Sequence, residues 1–315
     1  MREEGGDGFF FCFLIVISKV KLLSALSKLM KENDIISVEV SVMGKIYALS
    51  DIHGCLSPLK EALTLITLKP EDRVVFLGDY VDRGRHSCQV LQTIMDFETR
   101  HPGQVTVLLG NHDEWFCDWL FEPENAYIGY AMNMGIETIE SFFTEHNFQA
   151  ILNSQGDAPN IHVRLQAIEE KLRENLLNAP ENQKLLTWLK RKYQFPRYVE
   201  TPTQIFVHAG VDEEAGEYWK SATAPEIFTC KYPFTTGKFY KTIICGHFRS
   251  SFVAGDEGYL GRVYFDQASH YFIDGYVNKS GKVPVLVYDT QSKQYTSFEK
   301  IADTWHEYRL NERSN

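Results

Sequence analysis

Two kinds of apolar spacing alternate along the first part of the chain. Short apolar runs at residues 46–49, 73–77 and 105–109 predict strands. Between them the spacing lengthens to the helical period. Leu59, Ala62, Leu63 and Ile66 share one face behind Ser57-Pro58, which offers an N-cap followed by proline at the first helical position. Val90, Leu91 and Ile94 mark a second buried helical face. Alternation of this kind builds an α/β fold with a parallel sheet, whose functional groups emerge at the carboxyl ends of the strands. Those ends read Ser50-Asp51, Gly78-Asp79 and Gly110-Asn111-His112.

From Asp113 to Tyr198 the pattern becomes aromatic-rich and helical. A helix is predicted over residues 161–177, with Ile161, Leu165, Ile168, Leu172 and Leu176 on one face. The stretch at about residues 115–200 therefore reads as a helical insertion covering the site. Beyond it, residues 204–207 predict a strand into His208-Ala209-Gly210, and residues 242–245 another into Gly246-His247. Residues 271–298 hold short alternating apolar runs, such as 285–287, separated by turn residues as in antiparallel strands. There is no internal repeat or low-complexity linker.

Composition narrows the class. Of 315 residues, 44% are hydrophobic and 23% charged, which excludes disordered and fibrous chains. The balance of 32 Lys+Arg against 42 Asp+Glu gives −10, which argues against nonspecific binding to a nucleic acid duplex or anionic lipid. It does not argue against a local anion site, because clustered metal ligands are themselves acidic. Cys12, Cys55, Cys88, Cys117, Cys230 and Cys245 form no Cys-x-x-Cys pair and read as reduced thiols of a cytoplasmic protein. Residues 1–42 read as an N-terminal extension to a domain over residues 43–315. The apolar run at 9–17 is about half the length that spans a bilayer, and acidic residues precede it, so neither a cleaved signal nor membrane contact is expected. Residues 19–31 carry Leu22, Leu26 and Leu29 at amphipathic helical spacing, and Met43, just before the first strand, is an alternative start.

The strand ends share a chemistry. Asp51 and His53, two apart, can aim a carboxylate and an imidazole at one point, a donor pair that suits Mn, Fe or Zn better than Ca or Mg. Asp79 can bridge two ions with one carboxylate. Asn111 adds a neutral oxygen, and His208 and His247 add imidazoles from the far half of the chain. Two ions about 3.5 to 4 Å apart can hold an attacking hydroxide and a phosphate oxygen together. His112, next to Asn111 but pointing elsewhere, can protonate a leaving oxygen, with Asp82 fixing its tautomer. Arg83 offers a planar fork for two phosphate oxygens. Singly, each motif is weak: a lone His on an apolar strand is usually a satisfied core residue, and Asp-Arg-Gly is usually a turn. Five successive strand ends, each delivering a ligand type beside glycine, make coincidence implausible.

Asp51-Ile52-His53-Gly54, Gly78-Asp79-Tyr80-Val81-Asp82-Arg83-Gly84, Gly110-Asn111-His112-Asp113, Val207-His208-Ala209-Gly210 and Gly246-His247 resemble, in order, the motifs of calcineurin-like metallophosphoesterases. The likeness is to the phosphoprotein phosphatase branch, including bacterial serine/threonine protein phosphatases, and to diadenosine tetraphosphatases. Ile273-Asp274-Gly275 resembles the closing segment more loosely. The resemblance implies a four-layer fold with two central mixed sheets flanked by helices. It also implies two divalent metal ions, Mn foremost with Fe, Zn or Ni as alternatives. Asp51, His53 and Asp79 would hold the first, and Asp79, Asn111, His208 and His247 the second, with His247 open to serving the first instead. Asp82 and His112 would be the acid pair, and Arg83, with Asn111, would bind substrate. Leu109 stands where protein phosphatases of this family carry a second arginine, and Arg85-His86 and Phe248-Arg249 depart from the proline and threonine often found there. Arg249 is a candidate replacement anchor or a surface residue.

Three functions are compatible with these residues. One is hydrolysis of phosphate monoesters on a phosphorylated protein or small molecule. Another is symmetrical hydrolysis of dinucleoside polyphosphates, which needs a base-stacking pocket that Trp115, Trp119, Tyr127 or Tyr130 could furnish unless they are core. A noncatalytic phosphate- or protein-binding module is the third, and the intact His112, Asp82 and Arg83 argue against it.

Overall fold

The computed structural model describes residues 44–124, 126, 129–154 and 160–310. The extension, Met43 and Tyr127 lie outside the described residues, and with them the expectations placed on those positions.

Strands β1 (Lys45–Leu49), β2 (Arg73–Phe76) and β3 (Val105–Val107) run parallel, joined through helices α1 (Leu56–Leu63) and α2 (Ser87–Arg100). Their sheet continues past β1 into the antiparallel strands β9 (Leu286–Asp289), β10 (Gln294–Ile301) and β11 (Thr304–Arg309). A second sheet has the order β4 (Tyr198–Glu200), β5 (Gln204–Val207), β6 (Thr242–Arg249), β8 (His270–Asp274), β7 (Tyr264–Phe265), with β5, β6 and β8 parallel. The antiparallel strands predicted over residues 271–298 therefore hold for β9 and β10, β11 lies beyond that stretch, and β8 joins the other sheet beside β6.

The apolar runs are continuous because both faces of each sheet are covered, and the period of two divides their side chains between layers. Ile46, Ala48, Val75 and Leu77 meet Phe206, Ile244, Tyr271 and Ile273 between the sheets. Tyr47, Leu49, Val74 and Phe76 turn the other way, against Leu59, Val90, Leu91 and Ile94 of α1 and α2 and against the insertion. Ile205, Val207, Ile243 and Phe272 pack outward on Trp219, Phe228 and Phe248. Three core clusters thus bond four layers, helix, sheet, sheet and helix, as expected.

The stretch between β3 and β4, expected to be an insertion, is built of helices: α3 (Asn111–Phe121), α4 (Tyr130–Asn133), α5 (Ile136–Glu140), α6 (Glu145–Asn153), α7 (Ile161–Asn178) and α8 (Gln183–Tyr193). It is tied to α2 by Trp188 Nε1, which donates to Glu98 Oε2 at 2.6 Å, and by the Lys192–Glu98 ion pair. Three of the five residues predicted on the α7 face are used. Ile168, Leu172 and Leu176 are buried, but Ile161 is 58% exposed and Leu165 36%, because the first turns stand clear of the core formed by the described residues. Helix α1 also begins earlier than Ser57. Cys55 is its N-cap without a side-chain bond, and Pro58 falls inside the first turn, where its missing N–H is not needed. Cys55, Cys88, Cys117 and Cys245 are free thiols as expected, whereas Cys230 is disulfide-bonded, a correction to the reduced reading. Among the described residues no helix is long and apolar enough to cross a membrane.

Candidate active site

The loops after β1, β2, β3 and β5, the middle of β6 and the end of β8 converge at the carboxyl edge of the two sheets. The first two loops are joined by backbone bonds: Asp51 N donates to Gly78 O at 3.0 Å, Ile52 N and His53 N to Asp79 O at 2.8 and 2.9 Å, and Gly54 N to Tyr80 O at 2.8 Å. These bonds hold an unfavourable backbone. Asp51, His53, Asp79, Asp82, Arg83 and His247 all have φ between 43° and 67°, the left-handed region that costs a non-glycine residue about 1 kcal/mol or more. Such conformations persist where the surroundings enforce them, typically at functional sites.

Asp79 lies at the centre. Its Oδ2 is 3.5 Å from His53 Nε2 and its Oδ1 is 3.4 Å from His208 Nε2. Asp51 Oδ1 lies 3.9 Å from His53 Nε2. On the far side, Asn111 Oδ1 is 3.2 Å from His208 Nε2 and 3.1 Å from His247 Nδ1. Ligand atoms of Asp79, His208 and His247 all fall within 4.8 Å of one another, as do those of His53, Asp79 and His112. All six residues read as metal ligands thus meet in one place, with His247 beside His208.

The donor set fits divalent cations. Asp51, Asp79, Asp82, Asp113 and Asp274 are all buried together, and burial and neighbouring carboxylates push Asp51, Asp113 and Asp274 up, a crowding that a bound cation would relieve. His53 Nδ1 faces Val81 O at 3.0 Å and His208 Nδ1 faces Leu77 O at 3.2 Å. A carbonyl only accepts, so each Nδ1 carries a hydrogen; His53 Nε2, its imidazole lowered by burial, turns a lone pair inward, whereas His208 Nε2 faces Asp79 Oδ1 and Asn111 Oδ1 and carries a proton that a bound cation would displace. His53 Nε2 is buried without a hydrogen-bond partner, which suits a nitrogen whose lone pair is meant for a cation. The backbone also leaves room: a Cβ on Gly110 would lie 2.2 Å from Asp79 Oδ1, and one on Gly246 2.1 Å from Asp51 Oδ2.

Electrostatics follow from this crowding. Burial and then Asp274 push the Asp51 carboxyl well above its ordinary range. Burial works the same way on Asp79, but the His208 and His112 charges outweigh it and hold Asp79 low. His208 is raised to about 9, since Asp79 overcomes the effect of burial, and His247 is lowered to about 3 by burial and by His208.

The two residues read as an acid pair are in contact. His112 Nδ1 is 2.7 Å from Asp82 Oδ2, and Arg83 Nη2 is 3.3 Å from His112 Nε2. Arginine only donates, so Nε2 accepts here and Nδ1 holds the hydrogen given to Asp82. Arg249 is a half-buried side chain, its guanidinium 3.8 Å from the Tyr276 ring, and its charge reaches Asp274 together with that of Arg83.

Four residues hold the site in ways not assigned from the sequence: Asp113, Asp274 and Thr138 carried no assigned role, and Tyr130 was a candidate for base stacking only. Asp113 caps α3 and fixes the Asp79 loop: Oδ2 accepts from Asp79 N at 2.7 Å and Gly110 N at 3.0 Å, and Oδ1 from Tyr80 N at 2.9 Å. Its position three after Gly110 was a legible capping signal. Asp274 acts on Asp51 through charge and accepts from Tyr276 N at 2.7 Å. Tyr130 and Thr138 both reach Asp82, and no local signal announces them. Of the aromatics considered for base stacking, Trp115, Trp119 and Tyr130 are core, each no more than 6% exposed.

A model of calcineurin-like phosphoesterases matches residues 44–248, more than half of the chain. A Schizosaccharomyces pombe protein named as a candidate serine/threonine-protein phosphatase is 35% identical over 104 residues, 32% of either chain. A protein phosphatase 2A catalytic chain of Dictyostelium discoideum is 29% identical over 105 residues, 33% of this chain and 32% of its own. The matched segment spans about a third of the length of these curated relatives. Among solved structures, a candidate diadenosine tetraphosphatase aligns at TM-score 0.46 and 17% identity, over 82% of this chain and 94% of its own. The cold-active protein-tyrosine phosphatase of a Shewanella species aligns at 0.46 and 17%, over 85% and 80%.

Proposed function

The chain belongs to the calcineurin-like phosphoesterase family, a family of hydrolases, and from its site we propose a two-metal phosphatase acting on phosphate monoesters of a protein or small molecule. One observation supports this above all: Asp79 turns one carboxylate oxygen to His53 and the other to His208, as a ligand shared by two ions would. Asp51, His53 and Asp79 would hold the first ion, and Asp79, Asn111, His208 and His247 the second, with His247 open to serving the first instead. Manganese suits the mixed carboxylate, amide and imidazole set, with Fe, Zn or Ni as alternatives. When bound, the two ions supply charge for the phosphoryl oxygens and acidify a water for in-line attack.

The chain's own residues do the rest. Arg83 forks onto phosphoryl oxygens, and moving there takes its guanidinium away from His112 Nε2. That nitrogen, once freed, can take a proton from solvent and give it to the leaving oxygen, while Nδ1 goes on donating its hydrogen to Asp82, which fixes the orientation of the ring. Burial of Trp115, Trp119 and Tyr130 in the core favours monoesters over dinucleoside polyphosphates, for these rings offer no stacking surface.

Metal-stripped protein should regain p-nitrophenyl phosphatase activity on addition of Mn, and to a lesser degree Fe, Zn or Ni, and should then prefer phosphopeptides to diadenosine tetraphosphate. Failure of every metal to restore turnover would contradict the enzymatic reading. Preference for the dinucleotide would move the substrate assignment only.

A further inference from the structure

The acid pair is not self-supporting, and the insertion supplies what completes it. Asp82 is buried and its backbone is left-handed, with φ 67°. Its Oδ2 is taken by His112 Nδ1, and its Oδ1 accepts from both Tyr130 Oη and Thr138 Oγ1, each at 2.7 Å. Thr138 Oγ1 in turn accepts from Asp82 N at 2.8 Å, so one hydroxyl clamps the backbone and the carboxylate of the same residue. That hydroxyl's only hydrogen goes to Asp82, so Ser87 Oγ, 3.0 Å away at the start of α2, is the donor in their contact.

The insertion segment is shaped for this contact. A Cβ on Gly135 would fall 2.3 Å from Tyr130 Cε1, so glycine there lets the ring lie flat against the turn between α4 and α5. Ser141 Oγ donates to Thr138 O at 2.6 Å and accepts from Cys88 N at 2.9 Å, fastening the same turn to α2. Tyr130 and Thr138 are fully buried, too deep to meet a substrate.

Resting on the phosphatase reading above, we infer that Tyr130 and Thr138 are positioning residues for the general acid: they lock the Asp82 carboxylate so that His112 is held ready to protonate a leaving alkoxide. A carboxylate held by two hydroxyls cannot rotate without breaking both bonds, so the His112 ring inherits one orientation. The effect must then depend on the leaving group. A p-nitrophenolate leaves without protonation, whereas an alkoxide does not.

The test compares p-nitrophenyl phosphate with phenethyl phosphate, using full-length, metal-supplemented wild-type, Tyr130→Phe, Thr138→Val and Thr138→Ser proteins. The p-nitrophenyl to phenethyl ratio of kcat should rise about tenfold in Thr138→Val, rise less in Tyr130→Phe, and return toward wild type in Thr138→Ser. A second readout needs neither metal nor turnover: the low-field His112 Nδ1–H resonance, assigned by its loss in His112→Asn, should weaken or shift in Tyr130→Phe and Thr138→Val. An unchanged ratio, or equal loss on both esters, overturns the inference, because equal loss marks a merely structural role. If wild-type protein hydrolyses neither ester with any metal, the phosphatase reading fails, and the resonance alone decides: its persistence unchanged in Tyr130→Phe overturns the positioning claim. Tyr130→Phe removes a single hydroxyl, so it serves if Thr138→Val does not fold.

Discussion

Among the described residues, two buried groups of charge contrast, and they are built on opposite terms. Behind the second sheet, Lys231, Glu213, His270 and Asp266 form a closed set. His270 Nε2 meets Glu213 Oε2 at 2.9 Å and its Nδ1 meets Asp266 Oδ2 at 2.8 Å. Lys231 Nζ donates to Glu213 Oε1 at 2.7 Å and to Val211 O at 2.8 Å. Two carboxylates face a lysine and an imidazolium, so charge is balanced, and none of the four has φ in the left-handed region. The candidate active site has five buried carboxylates, left-handed ligands and an unpartnered His53 Nε2. Burial and charge alone do not distinguish a functional cluster from a structural one. What distinguishes them is whether the charges close among themselves, or leave a deficit that a cation fills.

Substitutions sharpen that contrast. The largest effect is expected from Asp79→Asn, which should lower phosphatase activity about a thousandfold or more. Although burial would raise Asp79, His208 and His112 hold it low in the metal-free protein, so the change also removes a favourable pairing, and the metal-free melting temperature should fall modestly while the fold persists; a fold that collapses on this change would make the site structural. His112→Ala should cost about a hundredfold in kcat on an alkyl phosphate while metal binding persists, checked by metal analysis of the dialysed protein.

At the balanced cluster the outcome reverses. His270→Gln should destabilise by about 3 kcal/mol, since it leaves buried carboxylates unpaired, yet spare the specific activity of the folded protein. Its pH dependence has a definite sign. Burial alone would lower His270, but Asp266 and Glu213 hold it up at about 9 against an ordinary 6.5, so its contribution is complete below 6.5 and is lost as pH rises through 9. Burial likewise would raise Glu213, yet His270 and Lys231 hold it down at about 2 against an ordinary 4.5, so that contribution is complete above 4.5 and lost as pH falls toward 2. The melting-temperature gap between wild type and His270→Gln should therefore be widest between about pH 4.5 and 6.5 and shrink by pH 9; a gap that grew with pH would contradict the pairing. The smallest effect is expected from Ile161→Gln or Leu165→Gln, within about 0.5 kcal/mol in urea unfolding, because both residues are exposed.

Legibility in the sequence followed the range of the interaction. Strand β5 was readable to the residue, because a short apolar run ending in His208-Ala209-Gly210 has one interpretation as a buried strand into a turn. The convergence of Asp51, His53, Asp79, Asn111 and His208 was readable because each follows a short apolar strand, with a glycine next to it or within three residues, whereas β6 runs on to Arg249 and places His247 within the strand rather than after a predicted end at residue 245. Ile161 and Leu165 misled because helical periodicity reports a face, not whether anything packs on it. The role of Tyr130 was hidden for a related reason: an aromatic residue in a helical stretch reads as core, and core it is, but its hydroxyl reaches Asp82 from 48 positions away. Thr138 and the left-handed φ angles gave no local sign, since tertiary placement alone creates them.

The central claim is that Asp79 is shared between two ions, and metal stoichiometry tests it most directly. Equilibrium dialysis against Mn followed by metal analysis should find two ions per wild-type chain and a loss of affinity for both in Asp79→Asn. A wild-type chain that takes up one ion or none, or an Asp79→Asn chain that keeps both, would contradict it.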